Sequence, residues 1–206
     1  MRIPFPPLLV ISDWSQARLP LIEVAAAAFA GGCRWFSLRE KELPAAERRA
    51  LLAALVALAR DYGATVTVHD DIEAGVVAGA AGVHLPSGGD PAAARALLPG
   101  KLIGASAHSA AEAASLIAAG ADYVTMSPVF LTESKPGYGP AIGFDGLAAA
   151  VAAAKGPVVA LAGITPANAA SCLKAGAAGI AVMGEVMRAA DPEATVRALI
   201  SSLRGA

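Results

Sequence analysis

The residues of this chain that could do chemistry stand where short apolar segments end. Arg39 and Lys41 follow one such segment, and Thr132 and Ser134 stand beside Lys135 after another. Cations and hydroxyl groups donate strong hydrogen bonds to phosphate oxygens. The set around Lys135 suits a pyrophosphate, and the alternative for residues 39–42 is an ordinary solvated loop. We therefore expect an anion-binding site for a small phosphorylated substrate.

Two glycines indicate a second place for a phosphate. Gly163 precedes Thr165 and Pro166, which read as the cap and the first position of a helix. Gly184 precedes a short turn over Glu185 to Met187. Glycine lets a backbone approach an anion closely, and the first turn of a helix attracts negative charge. The alternative is that both are ordinary turn glycines.

The histidines and acidic residues leave more choices open. His69 and His108 lie near predicted strand ends and could serve either the site or the structure, whereas His84 lies inside a strand and is predicted to be structural. Asp70 and Asp71 offer oxygen ligands that suit Mg²⁺, with waters and substrate phosphate completing the octahedron. No HxxxH or CxxC spacing for a transition metal occurs.

The stretch from Leu131 to Gly143 is longer than a usual connection between a strand and a helix, and it mixes prolines with glycines. We predict that it is a lid that closes over the substrate, with Tyr138 covering a ring. The alternative is a disordered surface loop.

These groups can meet only if the surrounding elements bring strand ends together. Apolar segments and helical segments alternate along the whole chain, and most helices end at a glycine just before the next strand. The predicted strands are Leu8–Asp13, Trp35–Arg39, Thr65–Asp70, Gly82–Pro86, Leu102–Ala107, Tyr123–Phe130, Pro157–Ala162 and Gly179–Met183. The predicted helices are Leu19–Ala30, Ala45–Tyr62, Ile72–Gly79, Pro91–Leu98, Ser109–Ala119, Asp145–Lys155, one beginning at Thr165, and Pro192–Leu203.

Eight strand and helix pairs predict an α/β fold, a single (β/α)₈ TIM barrel spanning residues 1–206. An open doubly wound sheet is disfavoured because the first turn, residues 12–16, lacks the glycine-rich fingerprint of such folds. In a barrel the functional groups lie at the carboxyl ends of the strands.

Composition narrows the classes of partner. The net charge is −1 and no apolar run approaches the roughly 20 residues that a membrane span needs, so we expect neither nucleic acid nor membrane as a partner. The two cysteines are expected to be reduced, and the expected location is the cytoplasm. A homo-oligomer stays open.

Several rim segments together resemble the thiamine phosphate synthase / TenI family. They are "SLREK", "HDD", "GVHLPSG", "IGASAHS", "MSPVFLTESKPG", "AGITPANA" and "GIAVMGEV", and they span nearly the whole chain. The resemblance implies a transferase of thiamine biosynthesis. In its reaction, hydroxymethylpyrimidine diphosphate loses pyrophosphate, and the nitrogen of a thiazole phosphate captures the resulting pyrimidine methyl cation.

The resemblance also implies roles for individual residues. Arg39 and Lys41 would contact the diphosphate, and Thr132, Ser134 and Lys135 would hold the leaving pyrophosphate. Ser106 would sit near the pyrimidine, Asp70 would bind Mg²⁺, and His69 would bind substrate where the synthases have asparagine. Gly163 and the run Val182, Met183 and Gly184 would hold the thiazole phosphate.

Two alternatives remain open. Gly89 stands where the family's second Mg²⁺ carboxylate would be, which resembles the TenI branch of metal-independent thiazole tautomerases. In that case His108 or His69 would be the acid–base group. A non-catalytic protein that binds a phosphorylated ligand is the second alternative.

Overall fold

Eight short apolar segments pair in parallel and close into a barrel in the structure, a computed structural model that describes residues 3–134 and 136–204. The strands are β1 (Leu8–Ile11), β2 (Trp35–Leu38), β3 (Thr65–His69), β4 (Gly82–Leu85), β5 (Leu102–Ala107), β6 (Tyr123–Met126), β7 (Val158–Leu161) and β8 (Gly179–Val182). Each strand pairs with the next, and β8 pairs with β1. The predicted (β/α)₈ barrel is confirmed.

The helices surround the barrel and follow the strands in order. They are α1 (Leu21–Ala30), α2 (Ala45–Asp61), α3 (Ile72–Ala78), α4 (Pro91–Leu97), α5 (Ala110–Ala118), α6 (Gly143–Ala154), α7 (Ala169–Lys174), α8 (Gly184–Met187) and α9 (Pro192–Leu203). None of the described helices is long and apolar enough to span a bilayer.

The strands place alternate side chains on the two sides of the barrel wall. The outward set packs against the helices in one large core, while a smaller cluster that includes Leu9, Trp35, Tyr123 and Val159 forms a separate core. This smaller cluster lies with several buried polar side chains, Ser37, Thr67, His84 and Thr125. The barrel interior is therefore partly polar below the site.

Two predicted boundaries were wrong by four residues, whereas the others differ from the structure by two residues or fewer. Strand β6 ends at Met126 rather than Phe130, because Pro128 has no N–H and interrupts the hydrogen-bond ladder. The seventh helix begins at Ala169, four residues after the predicted cap Thr165. Asn168 explains the delay, since it accepts a hydrogen bond from the Thr165 N–H (2.8 Å) and donates one to the Gly163 carbonyl (2.9 Å). This pair of bonds holds residues 163–168 as a turn.

Candidate active site

A cavity of about 350 Å³ opens at the carboxyl ends of the strands. Its wall is built mainly by the loops after β6, β7 and β8, with a contribution from the exit of β2. Seven predicted site residues line it, namely Arg39, Thr132, Ser134, Gly163, Val182, Met183 and Gly184. The fold thus brings together residues that are up to 145 positions apart in the chain (39 to 184).

Arg39 and Lys41 lie in different places, because β2 ends at Leu38 and both residues belong to the loop that follows it. Arg39 is half-buried in the wall of the cavity, and its N–H donates to the Ser12 hydroxyl over 2.8 Å. Lys41 is exposed and lines a neighbouring recess of about 180 Å³, whose wall also includes Arg39. Arg39 therefore faces the barrel mouth, and Lys41 follows the outer loop.

Glu40, between these two cations, was not predicted to belong to the site. Its side chain is only 3% exposed, and one carboxyl oxygen accepts the N–H of Trp14 over 3.0 Å. Burial raises the pKa of this carboxyl, although hydrogen bonds from Ser12 and Trp14 oppose the shift. The other oxygen, Oε1, is buried and has no hydrogen-bond partner among the described residues. Glu40 therefore anchors the β2 exit to the β1 exit.

Ser106 lies over a buried histidine. The Ser106 hydroxyl is 3.0 Å from Nε2 of His84, whose Nδ1 is 3.0 Å from the Tyr123 hydroxyl. Burial lowers the pKa of His84 to about 4, with a smaller contribution from the positive charge of Arg39. The ring of His69 stacks on His84 with the ring centres 5.7 Å apart. His84 is therefore neutral and hydrogen-bonded, in agreement with its structural interpretation, and it links His69 to Ser106.

His108 lies at the rim and contacts the loop over the cavity. Its Nδ1 is 2.9 Å from the Ser127 carbonyl oxygen and 2.7 Å from the hydroxyl of Tyr138, which lines the cavity. A carbonyl oxygen can only accept, so this geometry favours the proton on Nδ1 and leaves Nε2 as the basic atom of neutral His108. The ring of Tyr138 packs edge-on against this histidine.

The acidic residues beside β3 and β4 are mostly committed to other contacts. Asp71 pairs with Arg48 at 2.9 Å and caps α3 by accepting the Ala74 N–H. Burial raises the pKa of the Asp71 carboxyl, but these contacts outweigh burial and hold the pKa below its ordinary value. Asp90 likewise caps α4 by accepting two backbone N–H groups. Asp70 is exposed at the end of β3, and it makes no side-chain hydrogen bond or ion pair with the described residues.

Gly89 could not hold a carboxylate on the present backbone. A β-carbon at this position would lie 2.7 Å from the β-carbon of Leu85 and 3.1 Å from the Pro86 carbonyl oxygen. No cluster of three or more histidine, cysteine or acidic residues suited to a metal occurs in the part of the chain that the structure describes. Of Asp70, Asp71 and Asp90, only Asp70 has no capping or ion-pair contact with the described residues.

Two further cations, Lys135 and Arg188, have different outcomes. Lys135, predicted to hold pyrophosphate, lies outside the described residues. Arg188 was not predicted, yet it lines the cavity beside Gly184 and Ser134. Its spacing of one helical turn from Gly184 was the available signal, since residues four apart lie on one face of a helix.

Comparisons with known proteins agree on one family. The sequence model described as thiamine monophosphate synthase matches residues 8–186. The chain is 43% identical over 182 residues to a thiamine-phosphate synthase of Moorella thermoacetica, with 87% of each chain covered. It is 39% identical over 204 residues to the thiamine-phosphate synthase of Roseiflexus sp. (strain RS-1), covering 96% of this chain and 86% of the relative.

A solved structure gives the same result. The structure described as thiamine phosphate pyrophosphorylase from Pyrococcus furiosus superposes with a TM-score of 0.87 at 34% identity. The match covers 96% of this chain and 95% of that chain. The match therefore spans nearly the whole of both chains.

Proposed function

Because the chain belongs to the thiamine monophosphate synthase family, we propose that it is a transferase that joins hydroxymethylpyrimidine diphosphate to a thiazole phosphate. One observation carries the proposal beyond family membership: a single cavity collects two groups of candidate anion ligands. Arg39, Thr132 and Ser134 come from the exits of β2 and β6, and Gly163 and Gly184 come from those of β7 and β8. Such a cavity suits two phosphorylated substrates bound side by side.

The chemistry needs charge stabilisation and alignment. The bond between the pyrimidine methylene carbon and the diphosphate oxygen breaks, and its electron pair leaves with pyrophosphate. The lone pair of the thiazole nitrogen forms the new C–N bond. Negative charge grows on the leaving group, so the guanidinium of Arg39 and the hydroxyls of Thr132 and Ser134 would act where that charge develops. Lys41 and Lys135 would add positive charge.

The pyrimidine would lie over the polar interior of the barrel. Ser106 is half-buried, and its hydroxyl is held by neutral His84, so it presents a fixed hydrogen-bonding group to a heterocycle. His69 extends the same layer through its stacked ring. These contacts would orient the methylene carbon toward the second substrate.

Mg²⁺ would fit this chain best if it binds together with the diphosphate. Asp70 offers one carboxylate, and Mg²⁺ readily completes its six ligands with waters and phosphate oxygens. When bound there, the metal would neutralise charge on the leaving pyrophosphate. We expect Mg²⁺ alone to bind weakly, and Mg²⁺ with pyrophosphate to bind at least tenfold more tightly in wild type than in Asp70→Asn. Isothermal titration calorimetry measures both. Tight binding of Mg²⁺ alone would contradict this account.

We place the activity in the cytoplasm. Cys33 and Cys172 are both buried and unpaired, and burial raises the pKa of each thiol to about 11. Such thiols are protonated at neutral pH and behave as small apolar groups. This use of cysteine supports a reducing compartment.

The direct test incubates the purified protein with both substrates and Mg²⁺ and detects thiamine phosphate by mass spectrometry. Lys135→Ala should lower turnover by at least a hundredfold, because it removes a cation from the leaving group. Lys174→Ala, an exposed lysine on α7, is the matched control and should retain wild-type turnover. No product above background from wild type would refute the proposal.

The same variants separate the alternatives. His108 has a basic Nε2 at the rim, which is what a thiazole tautomerase would use. Tautomerisation that survives Lys135→Ala and disappears in His108→Ala, with no thiamine phosphate formed, would identify the isomerase. Ligand-dependent melting without turnover in either assay would identify a binding protein.

A further inference from the structure

Arg188 turns back over the strand-eight exit from the position that ends α8. A β-carbon at Gly184 would collide with Nη1 of Arg188 and with the hydroxyl of Ser134. Glycine at position 184 therefore lets both groups lie against the backbone. The guanidinium is consequently part of the same wall as Gly163 and Thr165, where the thiazole phosphate is expected.

The hydrogen bonds of Arg188 go to neutral groups, and its one ion pair with a described residue is long and exposed. Nη1 donates to the side-chain oxygen of Gln16 and, over 3.1 Å, to the hydroxyl of Ser134, and both acceptors are neutral. The nearest carboxylate among the described residues is Glu133, 3.7 Å from Nη2, and its side chain is 90% exposed. Exposed ion pairs of this kind contribute little. A half-buried guanidinium with neutral partners is suited to an anionic ligand.

The acceptors of Arg188 are themselves held in place. The Ser134 hydroxyl donates to Oε1 of Gln16 over 2.9 Å, and Nε2 of Gln16 donates to Asp13 over 2.6 Å. These bonds join the loops after β1 and β6 around the guanidinium. Arg188 thus has two separable contributions, one to the cavity through its charge and one to the loops through Gln16 and Ser134.

We propose that Arg188 is a further substrate-binding residue that donates to the phosphate of the thiazole substrate. The inference rests on the proposed function, which places that phosphate at Gly163 and Gly184. A guanidinium can donate two parallel hydrogen bonds to one phosphate, which a lysine cannot do. Arg188 would therefore select a thiazole that carries phosphate over the unphosphorylated alcohol.

The test compares four proteins by calorimetric titration with thiazole phosphate and by steady-state kinetics. Arg188→Gln should weaken binding by about 10- to 100-fold, the usual value of a charge-assisted hydrogen bond. It should raise KM for thiazole phosphate similarly, while KM for the pyrimidine diphosphate changes less than threefold. Arg188→Lys should recover part of the loss. Arg197→Gln, in an exposed pair on α9, is the matched control and should match wild type.

Gln16→Ala distinguishes a ligand contact from a role in holding the loops. It removes the neutral acceptor but keeps the guanidinium, so thiazole phosphate should bind within threefold of wild type. Wild-type affinity in Arg188→Gln, or an equal loss in Gln16→Ala, would overturn the inference. Titration needs no turnover. A wild type that binds thiazole phosphate but forms no product would refute the proposed function and leave the role of Arg188 to be judged from Arg188→Gln.

Discussion

His84 should make this protein lose stability as the pH falls from 7 to 5. Its ordinary pKa is 6.5, and burial lowers the pKa to about 4 in the folded chain. The unfolded chain therefore takes up a proton between these two values, while the folded chain does not. A depressed folded pKa of this kind contributes stability above pH 6.5 that is lost as the pH falls toward 4.

The size of the effect follows from the two pKa values. Linkage between a pKa of 6.5 and one of about 4 lowers the free energy of unfolding by about 1.8 kcal/mol between pH 7 and pH 5. That amount is a large share of the roughly 5–15 kcal/mol that a domain usually has. His84→Gln keeps a polar side chain near Ser106 and Tyr123 but cannot take up the proton. The variant should lose this part of the pH dependence, whatever its stability at pH 7.

Urea unfolding followed by circular dichroism from pH 5 to pH 7.5 measures the slope. Ser202→Ala, which removes no titratable group, is the control and should keep the wild-type slope. Glu40 contributes with the opposite sign, because burial raises the pKa of its carboxyl. Glu40 is present in every protein compared, so its contribution cancels in the difference. Equal slopes for wild type and His84→Gln would refute the reasoning.

Substitutions at three further positions test the packing of the barrel by urea unfolding. Glu40→Ala should cost about 1–3 kcal/mol, because it removes a buried side chain and leaves the partly buried N–H of Trp14 without its acceptor. Glu40→Gln should cost less than about 1 kcal/mol, since the amide oxygen can still accept this bond; equal losses would contradict this. Gly104→Ala should cost about 1–3 kcal/mol, because the added carbon would overlap the ring of Tyr123; an unchanged midpoint would show that the interior can repack. Asp122→Asn should cost about 1–3 kcal/mol, because it weakens the 2.6 Å ion pair with Arg95, in which Asp122 is largely buried. The control Glu193→Gln, in the exposed pair with Arg197, should cost less than about 0.5 kcal/mol.

The sequence was sufficient to predict the barrel and which groups lie at its rim. Alternating apolar and helical segments admit few arrangements, and strand ends such as Arg39 and Gly184 must then meet at one face. The helix that begins at Ala169 was misplaced because a threonine and a proline at 165–166 carry the usual signals of a helix start. Only the three-dimensional turn shows that Asn168 takes the N–H of Thr165 and delays the helix.

The contacts of Arg188 show why part of the site could not be predicted. Its partner Gln16 is 172 positions away, and no local pattern reports a contact over that distance. The burial of Glu40 was not predicted for a different reason, because a carboxylate between two cations is typical of a solvated loop. Its burial depends on the β1 exit folding over it, which provides the N–H of Trp14. Local patterns identify which residues reach the rim, but tertiary packing decides which of them become buried.

The polar barrel interior connects the stability of the fold with the proposed site. A barrel of this size is normally filled with branched apolar side chains, yet here His84, Thr67 and Thr125 are buried beneath the site. Polar groups in such a place are costly unless they are hydrogen-bonded, and His84 bonds both Tyr123 below and Ser106 above. The arrangement gives the Ser106 hydroxyl a fixed partner that stays neutral at physiological pH. A stability cost in the core therefore accompanies a rigid contact for the heterocycle. We accordingly expect the same histidine to set part of the pH dependence of folding and to hold the hydroxyl at the proposed pyrimidine site.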